Sequence, residues 1–160
     1  MGYSTFFTGE IKISPSLSVE EIDYLKAFNR SRRSMLLASP YSVARTSFDF
    51  RQPEMHDAAL QDSNPALGQP DLWCSWIPTD DGTALKWSGA EKSYKMAEWL
   101  EYLIQHFIGP TPLAVTELHF LVGHQLNGEV YAAGERAHDH WKIVVTKSIV
   151  TVLRGRIVYK

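Results

Sequence analysis

The chain has 160 residues, of which 44% are apolar, and a formal net charge of −2. That length makes one ordinary domain, residues 1–160, with enough apolar surface for a real core. The near-neutral charge excludes a global field pulling toward nucleic acid or an anionic membrane. One cysteine excludes an internal disulfide and is expected in a reducing, cytoplasmic setting. No apolar run reaches bilayer length, so no membrane role is expected, and Met1-Gly2-Tyr3-Ser4 does not read as a signal peptide.

Tyr3 to Ile13 alternates loosely and predicts a strand. Ser18 and Glu21 form a capping box, with Leu17 and Ile22 at the two positions of a hydrophobic staple. The helix that follows turns Ile22, Leu25 and Phe28 inward and ends in Arg30, Ser31, Arg32 and Arg33. Residues 34–70 are punctuated by four prolines and predict a long irregular excursion. Tyr41, Val43, Phe48 and Phe50 suggest one short strand within it.

The stretch from Asp71 to Ile108 organises the chain, because it holds four of the five tryptophans and the only cysteine. Leu72 to Ile77 predicts a strand with two apolar faces, Asp81-Gly82 a tight turn, and Leu85 with Trp87 a return strand. Ser88 and Glu91 match a second capping box. Met96, Leu100, Leu103, Ile104 and Phe107 then recur at helical spacing until Gly109-Pro110. Farther on, a strand is expected from about Glu117, with Asn127-Gly128 as a hairpin turn and Glu129 to Ala133 returning. Trp141–Val145 and Ile149–Leu153 are β-branched runs joined by Lys147-Ser148, which predicts another hairpin. Gly155 to Tyr159 would add a short last strand.

This order predicts an α+β fold. It is a mostly antiparallel sheet with two helices on one face, a ferredoxin-like core and a C-terminal β-meander. The motifs also carry a resemblance. Leu72-Trp73-Cys74-Ser75-Trp76, Gly89-Ala90-Glu91-Lys92-Ser93-Tyr94 and Glu98-Trp99-Leu100-Glu101-Tyr102-Leu103-Ile104 resemble a family of small uncharacterised bacterial and bacteriophage proteins. The family has no established activity, so the resemblance supplies no mechanism. Two departures from its pattern stand out: Ser93 occupies an aromatic position, and residues 136–140 read Arg-Ala-His-Asp-His.

No catalytic constellation is legible. There is no nucleophile elbow, no phosphate loop and no dinucleotide fingerprint. Glu91, Lys95 and Glu98 share a helix face with Tyr94 beside them, which suits an acid or base less well than a cap with ion pairs on a solvated face. At least one of Trp73 and Trp87 is expected to be partly exposed. Three arginines within four residues complement a helix C-terminus and also offer a docking point for an acidic partner. His119, His124, His138 and His140 match no zinc spacing, so neither a metal nor a cofactor is expected. Cys74 reads as a small buried hydrophobe.

These features predict a non-catalytic interaction or regulatory module, phage-linked, that binds a protein partner. Its expected contacts are Trp73, Trp87, Glu91, Tyr94, Glu98, Arg30, Arg32 and Arg33. Nucleic acid is disfavoured by the acidic balance. The alternative is a small enzyme or small-molecule-binding domain with its pocket between the Trp73–Trp87 hairpin and the helix starting near Glu91.

Overall fold

Among the described residues, alternation and β-branching produce six strands: β1 (Thr5–Ser14), β2 (Trp76–Pro78), β3 (Ala84–Trp87), β4 (Gln125–Gly134), β5 (His140–Thr146) and β6 (Ile149–Arg154). The helices are α1 (Val19–Arg30) and α2 (Met96–Leu103), and α2 runs on into a π turn at Ile104–Ile108. The computed structural model describes residues 2–35, 37–43, 63–156 and 158. Of the short strand expected from Tyr41, Val43, Phe48 and Phe50, Tyr41 and Val43 are described and lie in no strand, while Phe48 and Phe50 lie outside the described residues.

The strands form one antiparallel sheet in the order β2-β3-β1-β4-β5-β6. The first four, linked as β1-α1-β2 and β3-α2-β4, have the ferredoxin-like order. β5 and β6 extend the sheet as a meander. The alternation in β1 sorts its two faces. Phe7, Ile11 and Ile13 are buried, whereas Phe6, Thr8, Glu10 and Lys12 are exposed. The inward residues join Leu25 and Phe28 of α1 and Trp99, Leu100 and Leu103 of α2 in one apolar cluster. One face of the sheet is therefore covered and the other meets water, as antiparallel sheets allow.

The first capping box forms as read. Ser18 Oγ accepts the Glu21 N–H at 3.1 Å, and Glu21 Oε1 accepts the Ser18 N–H at 3.0 Å. The Asp81-Gly82 turn is also present, and Asp81 Oδ1 accepts from both Thr79 Oγ1 and Thr83 Oγ1 at 2.8 and 2.7 Å. Lys147 and Ser148 both take positive φ and make the last hairpin.

Four local expectations are corrected. The strand read at Leu72–Ile77 is only Trp76–Pro78. Ser88 and Glu91 do not cap a helix. Ser93 Oγ instead donates to Ala90 O at 2.8 Å and closes a local turn, and α2 begins five residues past Glu91, after Lys95 in the left-handed region. Such side-chain-to-backbone bonds compete with helix formation. Asn127-Gly128 lies inside β4. Gly128 is there because a Cβ at that point would come within 2.7 Å of Glu10 O on β1, and Asn127 Oδ1 accepts the Lys147 N–H at 2.7 Å. A strand from Glu117 is replaced by a 3₁₀ turn at Leu113–Thr116 and an irregular run to β4. The last strand expected at Gly155 to Tyr159 falls partly outside the described residues, and among those described no strand follows Arg154.

The two ends of the 34–70 excursion are pinned together. Ser34 bridges Pro65, Ala66 N–H donates to Arg33 O at 2.9 Å, and Arg33 N–H donates to Leu72 O at 2.7 Å.

Candidate functional site: an aromatic and acidic cleft at the end of the sheet

β1 pairs with β3 only at Ile11 and Lys12, whereas it pairs with β4 along its whole length from Thr5 to Ser14. The N-terminal half of β1 therefore has an open side, and the chain leaving β3 fills it incompletely. The result is a shallow cleft of about 340 Å³ walled by Phe6, Trp87 and Ala133, with Glu91 and Glu135 at its polar margin.

The walls are held by specific bonds. The rings of Phe6 and Trp87 meet edge to face at 5.2 Å, and Phe7 backs Trp87 at 5.5 Å. Trp87 Nε1–H donates to Ser93 Oγ at 2.8 Å, so the indole is fixed by the same serine that closes the local turn. That bond also positions the loop carrying Glu91. On the opposite side Glu135 Oε1 accepts the Ser4 N–H at 2.7 Å. Tyr3 Oη donates to Asp139 Oδ2 at 2.7 Å and accepts the Arg136 N–H at 3.0 Å, which ties the N-terminal segment to the β4–β5 turn. Arg136 leans over the Tyr3 ring with its guanidinium carbon 5.8 Å from the ring centre.

Phe6 is 61% exposed on the water-facing side of the sheet. Glu91 is exposed and has no hydrogen-bond or ion-pair partner among the described residues. Aromatic walls beside carboxylates suit a cation on an apolar stem. Ring faces attract the charge, the walls take the stem, and the carboxylates complete the pairing.

Of the residues expected as contacts, the structure brings Trp87 and Glu91 together here. Trp73 is 48% exposed but precedes β2 and does not line the cleft. Tyr94 is half exposed, with its hydroxyl against Gly2. Glu98 lies on the exposed side of α2. Arg30 is exposed, Arg32 half-buried and Arg33 wholly buried, so the three arginines do not form one patch. The room between hairpin and helix, where a pocket was the alternative expectation, holds Trp76. It is buried, and its Nε1–H donates to Met96 O at 2.8 Å.

Phe6 and Glu135 were missed by sequence reasoning. Phe6 had a signal, since it is the aromatic out of phase with Phe7, Ile11 and Ile13. Glu135 had none, because its place depends on pairing between strands more than a hundred residues apart.

A second polar cluster surrounds the π turn. Tyr41 Oη and His106 Nδ1 are 2.7 Å apart, and the His106 ring stacks on Tyr102 at 4.0 Å. Desolvation lowers the His106 pKa from its ordinary value, which favours the neutral ring. Burial pushes the Cys74 thiol up to about 12, so it is no nucleophile. Among the described residues no three His, Cys, Asp or Glu side chains converge on a metal position, and no helix is long and apolar enough to cross a membrane. Compared with protein-family models, with curated proteins and with solved structures, the chain matches none.

Proposed function

We propose that the protein is a non-catalytic interaction module that binds a protein partner by accepting a lysine or arginine side chain between Phe6 and Trp87. The observation that carries this reading is the junction of an exposed aromatic pair with an unpartnered Glu91 carboxylate in one open cleft. Each exposed cation–ring contact contributes about 0.5–1 kcal/mol. A single side chain therefore binds weakly, with a dissociation constant in the millimolar range or above. The rest of the affinity comes from the partner's surface. The resemblance to bacterial and phage proteins extends the proposal to a phage-linked role, and the inert buried thiol of Cys74 is compatible with a cytoplasmic one.

The test is an NMR titration of the whole protein with blocked single amino acids, read at the Trp87 indole proton. N-acetyl-lysine amide and N-acetyl-arginine amide should shift it, whereas N-acetyl-norleucine amide and N-acetyl-glutamate amide should not. Glu91→Gln and Phe6→Ala should each weaken the response several-fold. Equal responses to lysine and norleucine, or none to any probe, overturn the reading.

One observation favours a second reading. Tyr41 and His106 form a hydrogen-bonded acid–base pair on a π turn, a feature often found at functional sites. On this reading the protein is a small enzyme with neutral His106 as its general base, held by Tyr41. It requires a substrate whose turnover disappears in His106→Asn while the fold persists.

A further inference from the structure

Among the described residues, β6 ends the sheet and pairs on one side only. An edge like this exposes a row of unused backbone N–H and C=O groups. Proteins usually blunt such an edge with proline, a bulge or inward charges. β6 reads Ile149-Val150-Thr151-Val152-Leu153-Arg154 and has none of these before Arg154. Ile149 is 68% exposed and Leu153 46%. α2 packs beside the strand, yet every residue from Thr151 to Arg154 stays exposed.

The strand has a pattern of its own. Read outward from Thr151, it runs valine then isoleucine one way and valine then leucine the other. The residues are therefore palindromic in character about Thr151. A two-fold contact between identical strands needs this self-complementarity, because each residue i meets j while j meets i.

The backbone agrees. In an antiparallel ladder, hydrogen-bonded and non-hydrogen-bonded pairs alternate. Gly155 N–H donates to His140 O at 2.8 Å, so the odd-numbered residues of β6 direct their backbone groups at β5. Val150 and Val152 therefore turn theirs to the open edge. An antiparallel pairing centred on Thr151 places Val150 opposite the second copy's Val152, and both carry outward-facing groups. Ile149 then meets the copy's Leu153 on the water-facing side of the sheet, and the two Thr151 residues meet on the axis. The neighbouring register, centred on Val152, would set Val150 against Arg154 and Leu153 against Thr151. Opposed apolar pairs stabilise a sheet and mismatched ones do not.

We infer that the protein associates with a second copy of itself by antiparallel pairing of β6 about Thr151, which joins two six-stranded sheets into one. The contact is independent of the cleft. It is confined largely to one strand per subunit, so it forms a concentration-dependent dimer rather than an obligate one.

Sedimentation of the full chain across a dilution series should show a monomer–dimer equilibrium. Under mild oxidation Thr151→Cys should give a disulfide-linked dimer, because a non-hydrogen-bonded pair on the axis brings the two Cα atoms within disulfide reach. Ile149→Cys alone should not cross-link, but mixed with Leu153→Cys it should. Cys74 is buried and does not interfere. Val152→Pro should abolish association and leave the fold, because its N–H is unused within one subunit and an edge strand tolerates proline there. Val152→Lys is a second variant with the same expected loss. The inference is overturned by a protein that stays monomeric throughout, by cross-linking at 152 in preference to 151, or by a dimer that survives both Val152 substitutions.

Discussion

Glu21 and His124 meet at 2.9 Å with both side chains fully buried. The carboxylate also caps α1 by accepting the Ser18 N–H, while His124 Nδ1 contacts Pro15 O at 2.7 Å. One pair thus fastens the start of α1 to the chain entering β4. Removing one partner of a buried pair leaves the other uncompensated. Glu21→Ala should cost about 3–5 kcal/mol on that ground, against about 1 kcal/mol for Ser18→Ala, which removes only a cap. Urea unfolding of the two variants measures the gap. Equal losses would mean that Glu21 acts as a cap alone.

Trp76 and Trp99 are both buried, but only one indole nitrogen is satisfied. Trp76 donates to Met96 O, whereas Trp99 Nε1 has no acceptor among the described residues. Substitution by phenylalanine opens a similar space at each. At Trp76 it also removes the hydrogen bond to Met96 O, which adds about 0.5–1.5 kcal/mol. Trp76→Phe should therefore be the more destabilising of the two by that margin. Matching thermal and urea midpoints for the two variants would refute this.

The contrast shows where the sequence was readable. The Ser18–Glu21 cap, the Asp81-Gly82 and Lys147-Ser148 turns and the β1 alternation are signals written within a few residues, and each appears in the fold. The α+β order followed from them. Ser88–Glu91 and Asn127-Gly128 carry equally good local signals, and both were overridden. In the first case a serine five residues on was engaged by the Trp87 indole. In the second a glycine was needed for β4 to approach β1. The cleft was half legible for the same reason. Trp87 and Glu91 belong to one segment, but Phe6 and Glu135 join them only once β1 and β4 have paired. Three arginines within four residues gave no warning that one of them points inward.

His106 makes stability depend on pH. Its folded pKa lies below the ordinary value of about 6.5, because desolvation disfavours the charged ring. The unfolded chain therefore binds the proton more readily. Stability is complete above about pH 6.5 and falls as the pH drops through 6.5 toward the lowered folded value. His106→Asn keeps an acceptor for Tyr41 and removes the titration. Wild type should lose more stability than this variant between about pH 7.5 and 5.5. Parallel losses in urea unfolding would show that the ring is not desolvated in solution.

Arg33 is wholly buried, and its guanidinium is held by neutral groups among the described residues. Nη1 donates to Ser42 O and Nη2 to Pro40 O, both at 2.6 Å, while Nε donates to Gln69 Oε1 at 3.2 Å. The plane lies over Phe28, with 4.1 Å from its central carbon to the ring centre. Burial lowers its pKa to about 10, so the group remains charged at neutral pH. The planar fork reaches the 40–42 carbonyls and Gln69 at once and also stacks on the ring, a combination a lysine ammonium cannot reproduce. Arg33→Lys should therefore rescue little of the loss seen in Arg33→Met. Each should cost at least about 1–3 kcal/mol from the stranded Ser42 carbonyl, since Gln69 Nε2–H still donates to Pro40 O. The Tyr41 and Ser42 backbone amides should exchange hydrogen faster in both variants. A lysine variant with wild-type stability and protection would show that charge alone, and not the fork, holds this loop to α1.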